Sequence, residues 1–393
     1  TTDAAGTTVI GAGTTQMVAG LGAATFTFND SVILEEDVTI VDDGSGVYFN
    51  NTLDGAHSLV VQTGATTRFS GRVGGTTPLA NLTTDPGGTT EFSNIASTFP
   101  NVRTTGEINL NDAVDVTGAL HIEGGGGVTF ASTLDGLNSQ IQTFGGKVTF
   151  EGAIGDNNAP FFFSSTGSPE TEFNGRRATT SGHQAWGALT LPFGSATLEA
   201  TGANRDVRFL STVDGAAFIN VKAKGTTRFQ GDVGATLPIG SLTTDAAGTT
   251  TIDTGTTLLQ SIGTATFIFN DPVILEEDVT IVDIGGTGVF FNDTLDGAHS
   301  LTVNADATTY FGDKVGRATA LTNLLVTGPG STTLTDDVFT TGPQTFSENV
   351  TLAGNVLLDV LGNSTVTVNG TINGAFRFQV NTAGSTVFGG KIG

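Results

Sequence analysis

The chain repeats itself with a period of about 80 residues, and this repeat limits the possible folds more than any other feature of the sequence. The anchor of the repeat is Thr, an apolar residue, Asp or Asn, and then Gly at Gly55, Gly136, Gly215, Gly297 and Gly374. The residue numbers of successive anchor glycines differ by 81, 79, 82 and 77. Regular tandem repeats form one array of stacked units, so we predict a single continuous array over residues 1–393 without a separate catalytic domain.

Two further patterns show the same organisation. A glycine preceded by Val or Ile recurs at the same intervals, at Gly74, Gly155, Gly234, Gly316 and Gly393. Residues 1–51 also reappear at 243–293, with an offset of 241 or 242 in residue number, which is three repeats. A block of three repeats has therefore been duplicated within the chain.

Each repeat contains a shorter one, because a large apolar position recurs at intervals of about 20 residues. The residue two before it is small or apolar and the residue between them is often polar, which is typical of a strand with one buried face. Strands at this constant step predict an all-β, right-handed parallel β-helix, a β-solenoid with coils of about 20 residues and a column of core side chains. The column includes Phe28, Phe49, Phe69, Phe130, Phe150, Trp186, Phe209, Phe229, Phe269, Phe291, Phe311, Phe346 and Phe388.

The column has four positions per repeat, but its step is not uniform. After Phe92 and its equivalents the step is shorter by a tenth to two-fifths, which predicts one smaller or looser coil in each repeat. Tandem immunoglobulin-like sandwiches are the alternative fold, since their strands also recur at short intervals. The regular short step favours the solenoid, because a sandwich has no reason to repeat at a quarter of its own length.

Composition excludes several classes of protein. The chain has no Cys, which excludes disulfide frameworks, thiol nucleophiles and cysteine-bound metal centres. Its 15 basic and 38 acidic residues give a net charge of −23, which disfavours binding to nucleic acid and to anionic lipid. No apolar run reaches the length of a membrane helix, so we expect no insertion into a membrane.

Four segments resemble repeats of filamentous-haemagglutinin-type exoproteins, which are large surface or secreted proteins of Gram-negative bacteria. These segments are GGTTPLANLTTDPGGTT (74–90), GTTRFQGDVG (225–234), TLDGAHSLTV (294–303) and TTGPQTFSENVTL (340–352). The resemblance covers nearly the whole chain. It implies a right-handed parallel β-helix outside the cell, in a family that includes adhesins, toxin stalks and matrix proteins.

Two sets of carboxylates are candidates for chemistry. The first belongs to the turns formed by Asp54, Gly55, Asp135, Gly136, Asp214, Gly215, Asp296 and Gly297. Asp-Gly commonly forms a tight turn with a left-handed glycine, so we predict turns here rather than catalytic or calcium sites.

The second set comprises two acidic strings, Glu35, Glu36, Asp37 and Glu276, Glu277, Asp278, which are weak calcium candidates. Neither an EF-hand nor a calcium β-roll pattern accompanies them. We therefore predict solvated acidic loops and no required cofactor, calcium being the one cofactor that these residues suggest.

The least regular stretch, residues 156–206, contains Trp186. A tryptophan there could stack on a glycan, but residues 179–191 align with 340–352, which places Trp186 on the core position of Phe346. We predict a core tryptophan.

These observations favour a structural protein over an enzyme. Glycoside cleavage needs two carboxylates that converge on one cleft, and the sequence singles out no such pair. We therefore expect a structural segment of an extracellular fibre, sheath or surface filament, which polymerises end to end by strand pairing. The expected partner is another copy of the chain, end to end or laterally, with a host or matrix glycan as a further candidate. The alternatives are the stalk of a large bacterial adhesin and, more remotely, a polysaccharide-binding or polysaccharide-cleaving β-helix.

Overall fold

A computed structural model describes residues 1–11, 13–19, 22, 24–93 and 100–393. These residues form an all-β, right-handed parallel β-solenoid of about 17 turns of roughly 22 residues, without a helix. Neighbouring strands pair in parallel, from β1 (Thr7–Ile10) with the strand Ser31–Leu34 to the strand Val366–Val368 with Thr386–Phe388. The predicted β-solenoid is confirmed, and the parallel pairing excludes the immunoglobulin-like alternative, whose sheets are antiparallel.

Internal contacts divide the chain into two compact units, Thr1–Thr190 and Leu191–Gly393. In each unit the strands belong to three sheets in rotation, so that three strands make one turn. The single continuous array over residues 1–393 stays a prediction.

We call the three sheets of the first unit faces A, B and C, named after β1, β2 and β3 in turn. The strands occupy these faces in rotation when two single bridge positions are counted as strands, Val73 on face A and Ile154 on face C. In chain order they are β1 (Thr7–Ile10), β2 (Gln16–Ala19), β3 (Phe26–Phe28), β4 (Ser31–Leu34), β5 (Val38–Asp42), β6 (Val47–Phe49), β7 (Leu53–Asp54), β8 (Leu59–Thr63), β9 (Thr66–Phe69), β10 (Leu82–Thr84), β11 (Thr89–Ser93), β12 (Val102–Thr104), β13 (Glu107–Leu110), β14 (Ala113–Thr117), β15 (Ala119–Gly124), β16 (Gly127–Phe130), β17 (Leu134–Asp135), β18 (Gln140–Gly145), β19 (Val148–Phe150), β20 (Phe162–Gly167), β21 (Thr171–Phe173), β22 (Arg177–Thr180), β23 (Gln184–Trp186) and β24 (Leu189–Thr190).

The strands of the second unit occupy its faces D, E and F in the same way, with bridge positions Val233 on face F and Val315 on face E. They are β25 (Ser195–Ala200), β26 (Val207–Phe209), β27 (Val213–Asp214), β28 (Phe218–Ala223), β29 (Thr226–Phe229), β30 (Ser241–Thr244), β31 (Thr249–Ile252), β32 (Leu258–Ile262), β33 (Thr266–Phe269), β34 (Val273–Leu275), β35 (Val279–Ile284), β36 (Gly288–Phe291), β37 (Leu295–Asp296), β38 (Leu301–Ala305), β39 (Thr308–Phe311), β40 (Leu324–Thr327), β41 (Ser331–Leu334), β42 (Val338–Thr340), β43 (Gln344–Phe346), β44 (Asn349–Leu352), β45 (Val356–Val360), β46 (Val366–Val368), β47 (Ile372–Asn373), β48 (Phe378–Thr382) and β49 (Thr386–Phe388).

The aromatic series, expected as one column, lies on three faces in succession. In the first unit, face C carries Phe28, Phe49, Phe69 and Phe92, face B then carries Leu110, Phe130, Phe150 and Phe173, and face A carries Trp186. In the second unit, face E carries Phe209, Phe229 and Ile252, face D carries Phe269, Phe291, Phe311 and Leu334, and face F carries Phe346, Val368 and Phe388. All of these side chains are buried except Phe388 in the last strand, which is 39% exposed.

The stepping between faces follows from the number of strands in a repeat. From β27 to β37, and again from β37 to β47, the chain passes eleven strand or bridge positions, which is three and two-thirds turns. Each repeat therefore begins one face earlier than the last. The shorter steps after Phe92 and its equivalents are the points at which the series passes to that earlier face after two-thirds of a turn. The expectation of one smaller or looser coil in each repeat is therefore wrong. The turns hold roughly 22 residues, more than the step of about 20 residues seen in the sequence.

Neighbouring rings on one face stack on each other. Along face C the ring centroids are 5.0 Å apart for Phe28 and Phe49, 5.3 Å for Phe49 and Phe69, and 5.5 Å for Phe69 and Phe92. The ring planes are inclined by at most 19°, and such offset stacking adds to the burial of apolar area. The core is thus held together from one turn to the next by aromatic contacts.

Candidate functional site: side chains that join successive turns

The aspartates of the four Asp-Gly turns bind the backbone of the following turn. Oδ1 of Asp54 accepts hydrogen bonds from the N–H groups of Thr76 and Thr77, at 2.7 and 3.0 Å. Oδ1 of Asp296 accepts from Ala318 and Thr319, at 2.8 and 2.9 Å. The equivalent bonds join Asp135 to Asn157 and Asn158, and Asp214 to Thr236 and Leu237. Each carboxylate therefore satisfies two backbone donors in a loop that has no strand partner for them.

The glycines of these turns differ in one repeat. Gly55, Gly215 and Gly297 have φ of 132°, 120° and 136°, where a side chain would be strained. Gly136 has no positive φ, and in its turn Asn138 takes the left-handed conformation with φ of 58°. The left-handed glycine is thus present in three of these four turns.

The second glycine marker permits close contact between turns. Gly74 and Gly316 have φ of 66° and 68°, and each donates its N–H to the preceding turn, to the carbonyls of Leu53 and Leu295 at 2.7 Å. A Cβ atom at Gly74 would lie 2.1 Å from the carbonyl oxygen of Arg103, in the following turn. Only glycine fits between the two neighbouring turns at this position.

The acidic strings do not converge on a common point. In the first string, Oε2 of Glu36 accepts from the N–H of Gly13 at 3.0 Å, and Oδ1 of Asp37 accepts from Ser58 at 2.7 Å. Glu35 is exposed.

The second string is arranged in the same way, because Oδ1 of Asp278 accepts from Ser300 at 2.7 Å. Glu276 lies 3.3 Å from Arg228, which also binds Asp253 at 2.6 Å. The Asp253 carboxyl, through a hydrogen bond and its charge, raises the pKa of Glu276. Glu277 is half-buried. Within residues 1–11, 13–19, 22, 24–93 and 100–393, no group of three acidic or histidine side chains is arranged to hold a metal ion.

A further set of carboxylates was missed at the sequence level. In each case two threonine hydroxyls donate to one aspartate of the next turn, an arrangement that we call the Thr–Asp–Thr clasp. The three clasps are Thr2–Asp30–Thr8, Thr84–Asp112–Thr90 and Thr244–Asp271–Thr250. The signal was present, since the pattern Thr-Thr-Asp, Gly-Thr-Thr and Asn-Asp occurs in all three places, although its parts are widely separated along the chain.

The clasps sit at corners between faces and are nearly closed to solvent. Asp112 and Asp271 are 2% and 1% exposed. The hydroxyl of Thr84 lies 2.7 Å from Oδ1 of Asp112, and that of Thr90 lies 2.8 and 2.9 Å from its two oxygens. The asparagine before each aspartate adds a bond from its side-chain amide to the first threonine, as from Asn111 to the Thr84 carbonyl at 2.7 Å.

Burial shifts the acidity of these carboxyls. It raises the pKa of Asp112, and it raises the pKa of Asp271 to about 6, against the opposing hydrogen bonds from the threonines. In the first clasp the hydrogen bond from Thr2 is the largest influence, and it lowers the pKa of Asp30. The pKa of Asp112 and that of Asp271 are therefore raised above the ordinary value for aspartate, whereas the pKa of Asp30, in a chemically equivalent clasp, is lowered.

The tryptophan of the irregular stretch lies in the core of the first unit. Trp186 is fully buried on face A, and its indole N–H donates to Oε1 of Gln184 at 3.2 Å. Its ring lies 4.7 Å from that of Phe163 and 5.6 Å from that of Phe173. The side chain is thus enclosed by protein and offers no stacking surface to a glycan.

Comparisons with known proteins add no family. No family model, no curated protein and no solved structure matches the chain. The fold defines the chain as a parallel β-helix repeat protein. In the described part of the chain, no helix is long and apolar enough to cross a membrane.

Proposed function

We propose that the chain is a structural segment of an extracellular fibre, sheath or surface filament that assembles from copies of itself by strand pairing. The observation that carries this proposal is the recurrence of bonds between turns. Asp54, Asp135, Asp214 and Asp296 all bind the backbone of the next turn through the same oxygen. A carboxylate that already accepts two N–H bonds is committed to structure, and this holds in every repeat that carries the Asp-Gly turn.

The arrangement suits a load-bearing element. Successive turns are joined by parallel backbone pairing, by stacked rings and by the aspartate bonds, so force along the stack is shared among many modest interactions. The resemblance of residues 74–90 and 340–352 to filamentous-haemagglutinin-type repeats supports a location outside the cell. No metal or other cofactor enters this proposal.

Self-assembly is proposed through the edges of the sheets. Within the described residues, β48 and β49 pair with β45 and β46, and the proposal places a second copy of the chain on their other side. A strand with a free edge pairs readily with another chain, and a contact between unlike ends continues without closing, which builds a filament.

Electron microscopy of the purified chain over a range of protein concentrations tests this function, with and without a chelator. We expect filaments that lengthen with concentration and persist in the chelator. Single particles of constant size at all concentrations would contradict self-assembly and would favour the stalk of a larger adhesin. Filaments that dissolve in the chelator would show that a divalent cation is required.

Two fusion proteins sharpen the test. A small folded domain attached after Gly393 should block growth at that edge and leave short particles. The same domain inserted at Gly263 is the matched control, because Gly263 has a positive φ, is exposed and has no atom within 4 Å of the place where a Cβ would lie. Filaments of normal length from both proteins would contradict assembly through this edge.

A further inference from the structure

Each Thr–Asp–Thr clasp places a titratable carboxyl between two turns. A change in the charge of this carboxyl therefore changes how strongly the two turns are held together. In the second unit, Oδ1 of Asp271 accepts a hydrogen bond from the hydroxyl of Thr244 on β30 at 2.5 Å and another from the hydroxyl of Thr250 on β31 at 2.9 Å. The carboxyl is 1% exposed, so its charged form is separated from water and depends on these two hydroxyls. The clasp therefore joins two turns through a group that can be charged or neutral.

The charged surroundings of Asp271 do not compensate its charge. The charged side chain that acts on it is Asp245, a second carboxylate at the corner after β30. Asp245 is itself influenced by Lys222 on β28 and by Glu199 on β25. On the following turn, the amide of Asn292 binds Asn270, which precedes Asp271, at 2.7 Å.

We propose that the clasps around Asp112 and Asp271 form a pH-sensitive device that holds successive turns together more strongly in mildly acidic medium than at neutral pH. When Asp271 takes up a proton, the buried charge disappears while its oxygens still accept the threonine hydroxyls. When Asp271 loses this proton, the turn retains a buried anion beside a second carboxylate.

The sign of the effect follows from the shift at Asp271. Its pKa in the folded chain is about 6, above the ordinary value of 3.8, so the folded state binds the proton more tightly than the unfolded state. The stabilisation is fully present below the ordinary value and is lost as the pH rises through about 6. Between pH 5 and pH 7.5 the equilibrium for opening the clasp should change roughly tenfold.

Unfolding by urea between pH 5 and 7.5 tests the proposal on the full chain. The urea midpoint of the wild-type chain should be higher at pH 5, and Asp271→Asn should remove part of this rise. Asp43→Asn is the control, since Asp43 is an exposed carboxylate and its replacement changes the formal charge of the chain equally. Equal pH dependence in Asp271→Asn and in the wild type would overturn the proposal, as would equal flattening by Asp43→Asn.

Two further measurements cover a failure of Asp271→Asn to fold. Amide hydrogen exchange of the wild-type chain, corrected for the intrinsic rate, should show protection in β31 falling roughly tenfold from pH 5 to 7.5. Protection in β26 should change less, and equal changes in both strands would overturn the proposal. Asp30→Asn should act in the opposite sense, losing stability at neutral pH, because the Asp30 pKa is lowered. None of these outcomes depends on whether the chain forms filaments.

Discussion

The two copies of the duplicated block keep their inward side chains while their outward side chains differ. In the first unit, Phe28 and Phe49 stack on face C with ring centroids 5.0 Å apart. In the second unit, the equivalent Phe269 and Phe291 stack on face D at 5.2 Å. Each inward ring must fit the ring of the turn before it and the ring of the turn after it, which limits replacement.

The outward positions of the same strands have changed in character. In the first copy, the guanidinium of Arg68 lies 5.1 Å from the ring of Tyr48, a cation–π contact. In the second copy, Phe290 and Tyr310 occupy these positions with ring centroids 6.1 Å apart. Both pairs contact along the stack, but one is charged and the other is aromatic. Packing against the neighbouring turns therefore restricts the inward residue, whereas exposure to solvent allows the outward residue to change.

The largest expected effect comes from removing an inward ring. Phe49→Ala and Phe291→Ala should each destabilise the chain by about 3–5 kcal/mol, because each leaves a cavity in a fully buried stack. Urea unfolding monitored by circular dichroism would measure both losses. Losses that differ by more than about twofold between the two variants would contradict the equivalence of the copies.

A smaller loss is expected at the glycine marker. Gly74→Ala and Gly316→Ala should each cost about 2–3 kcal/mol, since a Cβ would meet a carbonyl of the next turn at 2.1 or 2.2 Å and the positive φ disfavours any side chain. Thermal unfolding of both variants checks this. Gly263→Ala, in open space but also at positive φ, isolates the backbone cost and should lose less than either.

Removal of a turn carboxylate ranks next. Asp54→Ala and Asp296→Ala each leave two backbone N–H groups without their acceptor, which should cost about 1–3 kcal/mol. Faster amide exchange at Thr76, Thr77, Ala318 and Thr319 would localise the loss. Substitution by Asn should restore part of the stability, because the amide oxygen can accept the same bonds; no recovery would assign the effect to charge instead.

The smallest effect is expected from exchanging outward residues. The double variant Tyr48→Phe, Arg68→Tyr gives the first copy the outward residues of the second. Because these side chains are partly exposed, the cation–π contact and the ion pair of Arg68 with Glu91 at 2.6 Å are both weak, and the stability should change by less than about 1 kcal/mol. A loss comparable to that of Phe49→Ala, measured in the same urea series, would show that the outward face is as constrained as the core.

The sequence was sufficient for the type of fold because repetition is visible in the chain itself. The long repeat and the shorter one inside it, with alternation around Phe49 and its equivalents, indicate a β-solenoid directly. The number of residues in a turn was not accessible in this way. The aromatic series mixes whole turns on one face with steps of two-thirds of a turn at each change of face, so its average step is shorter than the turn.

The candidate site was predictable only in part. The Asp-Gly pair predicts a turn, but the partners of Asp54 lie 22 and 23 residues further along, and no local rule identifies them. The clasp around Asp112 escaped notice for the same reason, since its threonines lie 22 and 28 residues away. Contacts between successive turns can be predicted from the sequence only once the number of residues in a turn is known.

The backward step of one face per repeat has a consequence for how such a chain can grow by copying. Duplicating one repeat would rotate every later outward residue to a different side, because a repeat holds three and two-thirds turns. Three repeats hold a whole number of turns, so a copied or deleted block of that size preserves every orientation. The internal copy in this chain, which relates residues 1–51 to 243–293, has this length. Gene rearrangements that preserve these orientations are thus restricted to multiples of three repeats, and length variants of this chain should differ by such blocks.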